Sequence, residues 1–121
     1  KYDDLLDKKD YQKVHSEMRE FLNMKNFKER YLVYIPSWQK ISLHKLKNLN
    51  LYNKHPQVIQ LNNLKNNVKE ISIQNGFKFI DTESYYFALD DPLNIFHYKL
   101  NTHFNPLGYE ILSKVIFKSL D

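Results

Sequence analysis

A histidine set two residues ahead of a helix N-cap is the part of this chain best suited to chemistry. It lies in the run Asn101-Thr102-His103-Phe104-Asn105-Pro106-Leu107-Gly108-Tyr109. Asn105-Pro106 reads as N-cap and first helical residue, with Ile111, Leu112, Val115 and Ile116 following on one helical face. An imidazole held by a short loop before such a helix can be fixed in orientation and still reach solvent, as a general base requires. Gly108, in the first turn, has no helix-propensity reason to be there and implies close approach of a neighbouring backbone. The plain alternative is a structural loop histidine bonded to backbone and without chemical duty.

Other candidates cluster after a short apolar run that ends at Pro36. Ligands of open parallel sheets gather outside the carboxyl ends of the strands, which is where Ser37 and Trp38 fall. Trp38 is a candidate for lining a pocket. Ser37 and Asn105 are candidate substrate contacts whose structural alternatives are a cap or turn for Ser37 and an N-cap for Asn105. The aromatic run Tyr85-Tyr86-Phe87, with Phe96 and Tyr98 beyond it, could line a sugar-binding face or pack in the core. His97 and His103 with Asp90 or Asp91 lack the helical His-x-x-x-His spacing of a metal site, and no metal is expected. His15, His44 and His55 read as surface residues.

The elements that must position these residues alternate. Val14, Met18, Phe21 and Leu22 fall at helical spacing between Tyr11 and Phe27, with Asp10 as the expected N-cap. Arg30 to Ile35 is a short, continuous apolar and aromatic run, read as a buried strand closed by Pro36. From Ser37 to Pro56 the pattern is irregular, with Leu43, Leu46 and Leu49 hinting at a short helix before His55-Pro56 breaks it. From about Gln57, the spacing of Leu61, Leu64, Val68 and Ile71 predicts a helix stopped by Asn75-Gly76. Phe77 to Ile80 reads as a second strand, and Thr82-Glu83-Ser84 as the start of a brief helix through Leu89 before the Asp90-Asp91-Pro92 turn. This order predicts a single α/β domain over residues 1–121, with parallel strands and helices on both faces of the sheet. Two strands leave open edges, so a further strand is expected from sequence outside these residues, from a second copy of the chain, or from Leu93 to Tyr98.

Composition narrows the function classes. A chain of 121 residues, 42% hydrophobic and 15% aromatic, has enough apolar surface for one core and too much for a disordered tail. The formal charge of +4 invites a nucleic-acid reading, but the lysines are scattered and Arg19 and Arg30 are the only arginines for bidentate contacts to phosphate or guanine. No nucleic-acid partner is expected. The absence of cysteine excludes disulfides, thiolate metal sites and a thiol nucleophile. No apolar run approaches a membrane span, and the opening Lys1-Tyr2-Asp3-Asp4 reads as an excerpt or a processed product.

The pattern from Asn101 to Tyr109, followed by an amphipathic C-terminal helix, resembles the last block of the SGNH (GDSL-type) hydrolases. The resemblance extends to the branch related to polysaccharide O-acetyltransferases and acetylesterases. Tyr31-Leu32-Val33-Tyr34-Ile35-Pro36-Ser37 resembles the late strand of that fold that ends in proline, and Phe77-Lys78-Phe79-Ile80-Asp81 the strand leading to the histidine loop. The resemblance implies the C-terminal portion of a flavodoxin-like, three-layer α/β/α fold. It implies that His103 is the base that takes a proton from a serine and returns it to the leaving group. It also implies an acidic residue shortly before the histidine, where this chain has Asn101, two residues ahead, and Leu100 before it. Asparagine can hold the ring but cannot offset the imidazolium charge; Asp90 and Asp91 are the nearest acids that could substitute.

The family's Gly-Asp-Ser nucleophile segment is missing, and with glycine only at 76 and 108 no glycine-rich nucleophile turn can be built. The resemblance therefore implies an esterase, lipase or O-acyltransferase acting on a simple ester or acylated carbohydrate. Its serine would lie in sequence outside these residues, no cofactor would be needed, and the 121 residues alone would not hydrolyse an ester. A homodimer covering the sheet edges is a further expectation. The alternatives are a non-catalytic α/β module that binds a glycan or partner protein and retains the loop in degenerate form, and a plain structural domain.

Overall fold

The computed structural model describes residues 5–24, 28–45 and 49–120. The elements run α1 (Lys8–Met24), β1 (Tyr31–Tyr34), α2 (Trp38–His44), α3 (Leu49–Lys54), α4 (Pro56–Gln74), β2 (Lys78–Asp81), α5 (Glu83–Phe87), two 3₁₀ turns (Pro92–Ile95 and His97–Lys99) and α6 (Pro106–Ser119). The α/β class and the parallel strands expected from the alternation are present. Tyr31 pairs with Lys78, Leu32 with Phe79, Val33 with Ile80 and Tyr34 with Asp81, all in parallel.

Helix α1 begins three residues earlier than its spacing suggested. The Asp7 carbonyl accepts the first helical bond, from Tyr11 N–H at 3.2 Å. Asp7 and Asp10 cap each other, Asp7 N–H donating to Asp10 Oδ2 (3.0 Å) and Asp10 N–H to Asp7 Oδ1 (2.9 Å). Asp10 is thus the third residue of a capping box and not the cap itself. The predicted end at Phe27 lies outside the described residues.

The stretch after β1 forms two short helices where the sequence hinted at one. Ser37 caps α2 by accepting from Lys40 N–H at 3.2 Å, and Pro56 opens α4 as its first residue instead of only ending what precedes it. His55 is the cap of α4, its Nδ1 accepting from Gln57 N–H at 3.2 Å. At the other end Gly76 takes φ +80°, Gly76 N–H reaches Ile73 O (3.0 Å) and Phe77 N–H reaches Ser72 O (2.9 Å). That is a Schellman stop, the conformation that glycine adopts at no steric cost.

Two expectations need correction. Strand β1 is half-buried at all four positions and not enclosed. Among the described residues it is paired on one edge only, which leaves it half-open despite its continuous apolar run. Leu93 to Tyr98 is not a strand: it holds the two 3₁₀ turns, and only Phe96 makes an antiparallel bridge, to Phe104.

A buried cluster of four residues lies beyond the sheet. Ile41 of α2, Tyr86 of α5, Ile95 and Phe96 are buried together, with Trp38, Phe87, Leu89, Leu93, Phe104 and Ile111 packed around them. Tyr86 and Phe96 thus follow the core reading of the aromatic run, whereas Tyr85 and Tyr98 are exposed. The Tyr86 hydroxyl donates to Gly108 O at 3.1 Å, which ties α5 to the first turn of α6, and burial pushes its phenol up to about 12.

His15, His44 and His55, read as surface residues, are all half-buried, and His44 is held by aromatic rings. Its ring stacks on Phe87 at 3.9 Å and 5° and meets the edge of Tyr52 at 5.1 Å. Burial holds it below the ordinary 6.5, partly offset by the charge of Glu83. The unfolded chain therefore takes up this proton first, and stability contributed by neutral His44 falls as pH drops from 6.5 toward the lower folded value. Thermal melts between pH about 7.5 and about 5 should show a smaller loss for His44→Phe than for the wild type. Equal losses would contradict the assignment.

Candidate functional site

The histidine loop is built on an aromatic anchor. Phe104, directly after His103, packs against Tyr86 (5.4 Å), Phe96 (5.5 Å) and Tyr109 (5.7 Å). The bridge between Phe104 and Phe96 closes residues 97–103 into a loop whose seven members are all exposed. Behind it, Asn105 caps α6, its Oδ1 accepting from Gly108 N–H at 3.0 Å. The Asn105 amide nitrogen donates to Asn94 O, and its backbone N–H donates to Ile95 O at 2.8 Å.

Gly108 completes the junction. A Cβ there would sit 2.8 Å from Ile95 O and 2.8 Å from Phe104 Cγ, which is the close backbone approach expected from its position. Gly108→Ala, ordinarily favourable inside a helix, is expected to destabilise the protein by about 1–3 kcal/mol through overpacking. Chemical denaturation checks this, and an unchanged or raised midpoint would contradict it.

Trp38 reaches the same loop from the carboxyl end of β1. Its indole N–H donates to Lys99 O at 3.1 Å, and Lys99 Nζ is 2.7 Å from Asp91 Oδ2. Asp91 also faces Lys45 at 3.4 Å. The hydrogen bond from Lys99, followed by the attraction of Lys45, holds the Asp91 carboxyl below its ordinary 3.8, with burial opposing. Asp91 therefore serves the loop's frame. Thr102 Oγ1 lies within hydrogen-bonding distance of His97 O (3.4 Å), Leu100 O (3.2 Å) and His103 O (3.3 Å).

The predicted site residues are partly brought together. Trp38, Asn105 and the loop bearing His103 form one connected unit. The His103 ring is exposed, and among the described residues no hydrogen bond joins it to Asn101, which is also exposed. Ser37 is the cap of α2 and borders a separate groove of about 220 Å³ with Gln39, Gln57 and Gln60. Asn105 has its amide engaged by backbone at both ends. A larger groove, about 570 Å³, lies between α1 and α4 and includes no residue of the histidine loop. Among the described residues no group of three or more His, Asp or Glu is placed to hold a metal ion.

A charged cluster at the carboxyl ends of both strands was not foreseen. Lys40, whose side chain has no solvent exposure, reaches Glu83 Oε2 at 2.7 Å and the Tyr34 hydroxyl at 3.3 Å. Lys65 bridges Asp81 (2.5 Å) and Glu83 (3.2 Å). Both ammonium groups lie over the Tyr34 ring, at 5.4 and 5.1 Å. Burial lowers the Lys40 ammonium against the pull of Glu83. Burial also acts downward on Lys65, but hydrogen bonds and charge from Asp81 and Glu83 outweigh it and hold the group above its usual value. Burial, then the carboxylates of Glu83 and Asp81, raise the Tyr34 phenol far above its ordinary range. The two cations and two anions balance, and Lys40 is sealed from any ligand. Their chemistry is to lock β1, α2, α4, β2 and α5 together at the carboxyl ends of the strands.

Comparison of the chain with family models, curated proteins and solved structures returns no match. Fold and site define a mainly helical α/β protein with a two-stranded parallel sheet and an exposed, tightly framed histidine loop at the start of its last helix.

Proposed function

We propose that this chain is the C-terminal part of an SGNH-type α/β/α domain, an ester hydrolase or O-acyltransferase in which His103 is the general base. The observation that carries the reading is the His103 loop itself. It is solvent-facing, framed by Trp38 and Asp91 on one side and by Phe104, Asn105 and Gly108 on the other. A base must keep its orientation while remaining open to the group it deprotonates, and such a frame supplies both. The serine would come from sequence outside these residues, with Asn101 orienting the ring once substrate closes the site. Trp38 would form and Asn105 support the substrate-facing edge, while Ser37 serves as the α2 cap, and the substrate would be a small or carbohydrate ester.

A serine activated by this histidine would react with a fluorophosphonate probe. Labelling of the natural protein that contains this chain should be lost with His103→Ala. Equal labelling of the two would refute the base assignment.

One observation favours a second reading. Asn101 stands where the family pattern has an acid, and it makes no hydrogen bond to the His103 ring among the described residues. A non-catalytic module that binds a glycan or partner protein through the same loop would have no need of that acid. Absence of labelling in the wild type itself, with a serine-bearing segment present, would favour this alternative.

A further inference from the structure

Tyr98 has the largest fractional exposure among the large hydrophobic side chains of the described residues, at 92%, and it sits in the same closed loop as His103. Its backbone is left-handed, φ 53° and ψ 23°, and Lys99 follows at φ 59°. Two consecutive residues with side chains in this region carry a steric cost that glycine would avoid. Such conformations persist only where the surroundings over-determine them.

Here the surroundings do so. Lys99 N–H donates to Phe96 O at 3.2 Å and Leu100 N–H to His97 O at 3.0 Å. Trp38 holds the Lys99 carbonyl, and Asp91 holds its ammonium. The loop therefore points one flat aromatic ring into solvent from a fixed backbone, leaving its apolar face uncovered. Leu100 is also exposed, at 57%, and the same short loop carries the exposed polar residues His97, Asn101 and Thr102.

We infer that Tyr98 is a specificity residue that stacks on the apolar C–H face of a pyranose ring and so delivers a carbohydrate ester to His103. The inference deepens the proposed function and rests on it. An aromatic ring offers a large rigid contact at low entropic cost, and the amide, hydroxyl and imidazole groups carried by the same loop match sugar hydroxyls in type. A stacked nucleobase is the poorer fit. It would bring phosphates to a loop whose one lysine is already engaged by Asp91 and which has no arginine.

The test compares O-acetylated xylotriose with p-nitrophenyl acetate as substrates of the natural protein containing this chain. Tyr98→Ala should raise KM for the sugar ester about tenfold, while p-nitrophenyl acetate turnover changes less than about twofold and Tyr98→Trp restores the sugar KM. Equal loss on both substrates would make Tyr98 merely structural, and no change on the sugar ester would overturn the inference. His103→Ala separates the two claims. If it leaves both rates unchanged, the base assignment fails; if it removes both while Tyr98→Ala alters neither, only the platform fails.

Binding provides a second arm that needs no turnover. Acetylated xylotriose at millimolar concentration should shift the amide resonances of residues 97–103 in the wild type and not in Tyr98→Ala. No shift in the wild type would overturn the inference.

Discussion

Replacing Glu83 with alanine is expected to destabilise the protein by about 3–5 kcal/mol, the usual cost of stranding one member of a buried ion pair. Lys40 has no exposed side-chain surface and Glu83 only 14%. Without that carboxylate, the Lys40 ammonium keeps the Tyr34 hydroxyl at 3.3 Å and no charge partner in direct contact. Lys65 suffers less, since Asp81 remains 2.5 Å away and its side chain is partly open to water. Pairing Glu83→Leu with Lys40→Met should recover much of the loss, because buried ion pairs are often replaceable by apolar groups of similar volume. Urea denaturation of the single and double variants measures this. A loss below about 1 kcal/mol for Glu83→Ala would place the pair in the class of surface bridges.

The second large effect concerns catalysis. Removing the base of an intact triad costs about 10⁶ in kcat, and removing its acid alone costs about 10⁴. If His103 is the base and Asn101 stands in the acid position, the wild-type protein already lacks the second contribution. On that reading His103→Ala should lower ester turnover by only about 10²-fold, the ratio of those two losses. Asn101→Asp should raise the wild-type rate, by up to about 10⁴-fold if the carboxylate reaches the ring, and should do nothing once His103 is gone. That conditional gain distinguishes a base awaiting its acid from a histidine with no chemical role.

Where a signal was local, the sequence carried it. Asn105-Pro106 announced α6, Asn75-Gly76 announced the end of α4, and Gly108 announced a close approach that proves to be Ile95 O and Phe104. Each depends on a residue type whose backbone preference acts within a few positions. What escaped depends on distant partners. Lys40 reads as an ordinary exposed lysine, and its burial follows from Glu83, 43 residues later. His44 looks like a surface residue until Phe87 and Tyr52 cover part of its ring.

The bend at Tyr98 and Lys99 is equally silent. Neither residue favours the left-handed region, so nothing local marks the turn that Trp38 and Asp91 impose. The boundary error at α1 has another origin. Asp7 and Asp10 are both good caps, and only the observed pair of hydrogen bonds shows that they act together. The split between α2 and α3 was hidden because Leu43, Leu46 and Leu49 recur at three-residue steps compatible with a single helix; Leu46 itself lies outside the described residues.

The most direct test of the histidine's role is p-nitrophenyl acetate hydrolysis by the natural protein that contains this chain, with residue 103 as histidine and as alanine. A fall of about 10²-fold in kcat/KM, with unchanged stability, is the result expected if this imidazole is the base. Equal rates for the two proteins would contradict it.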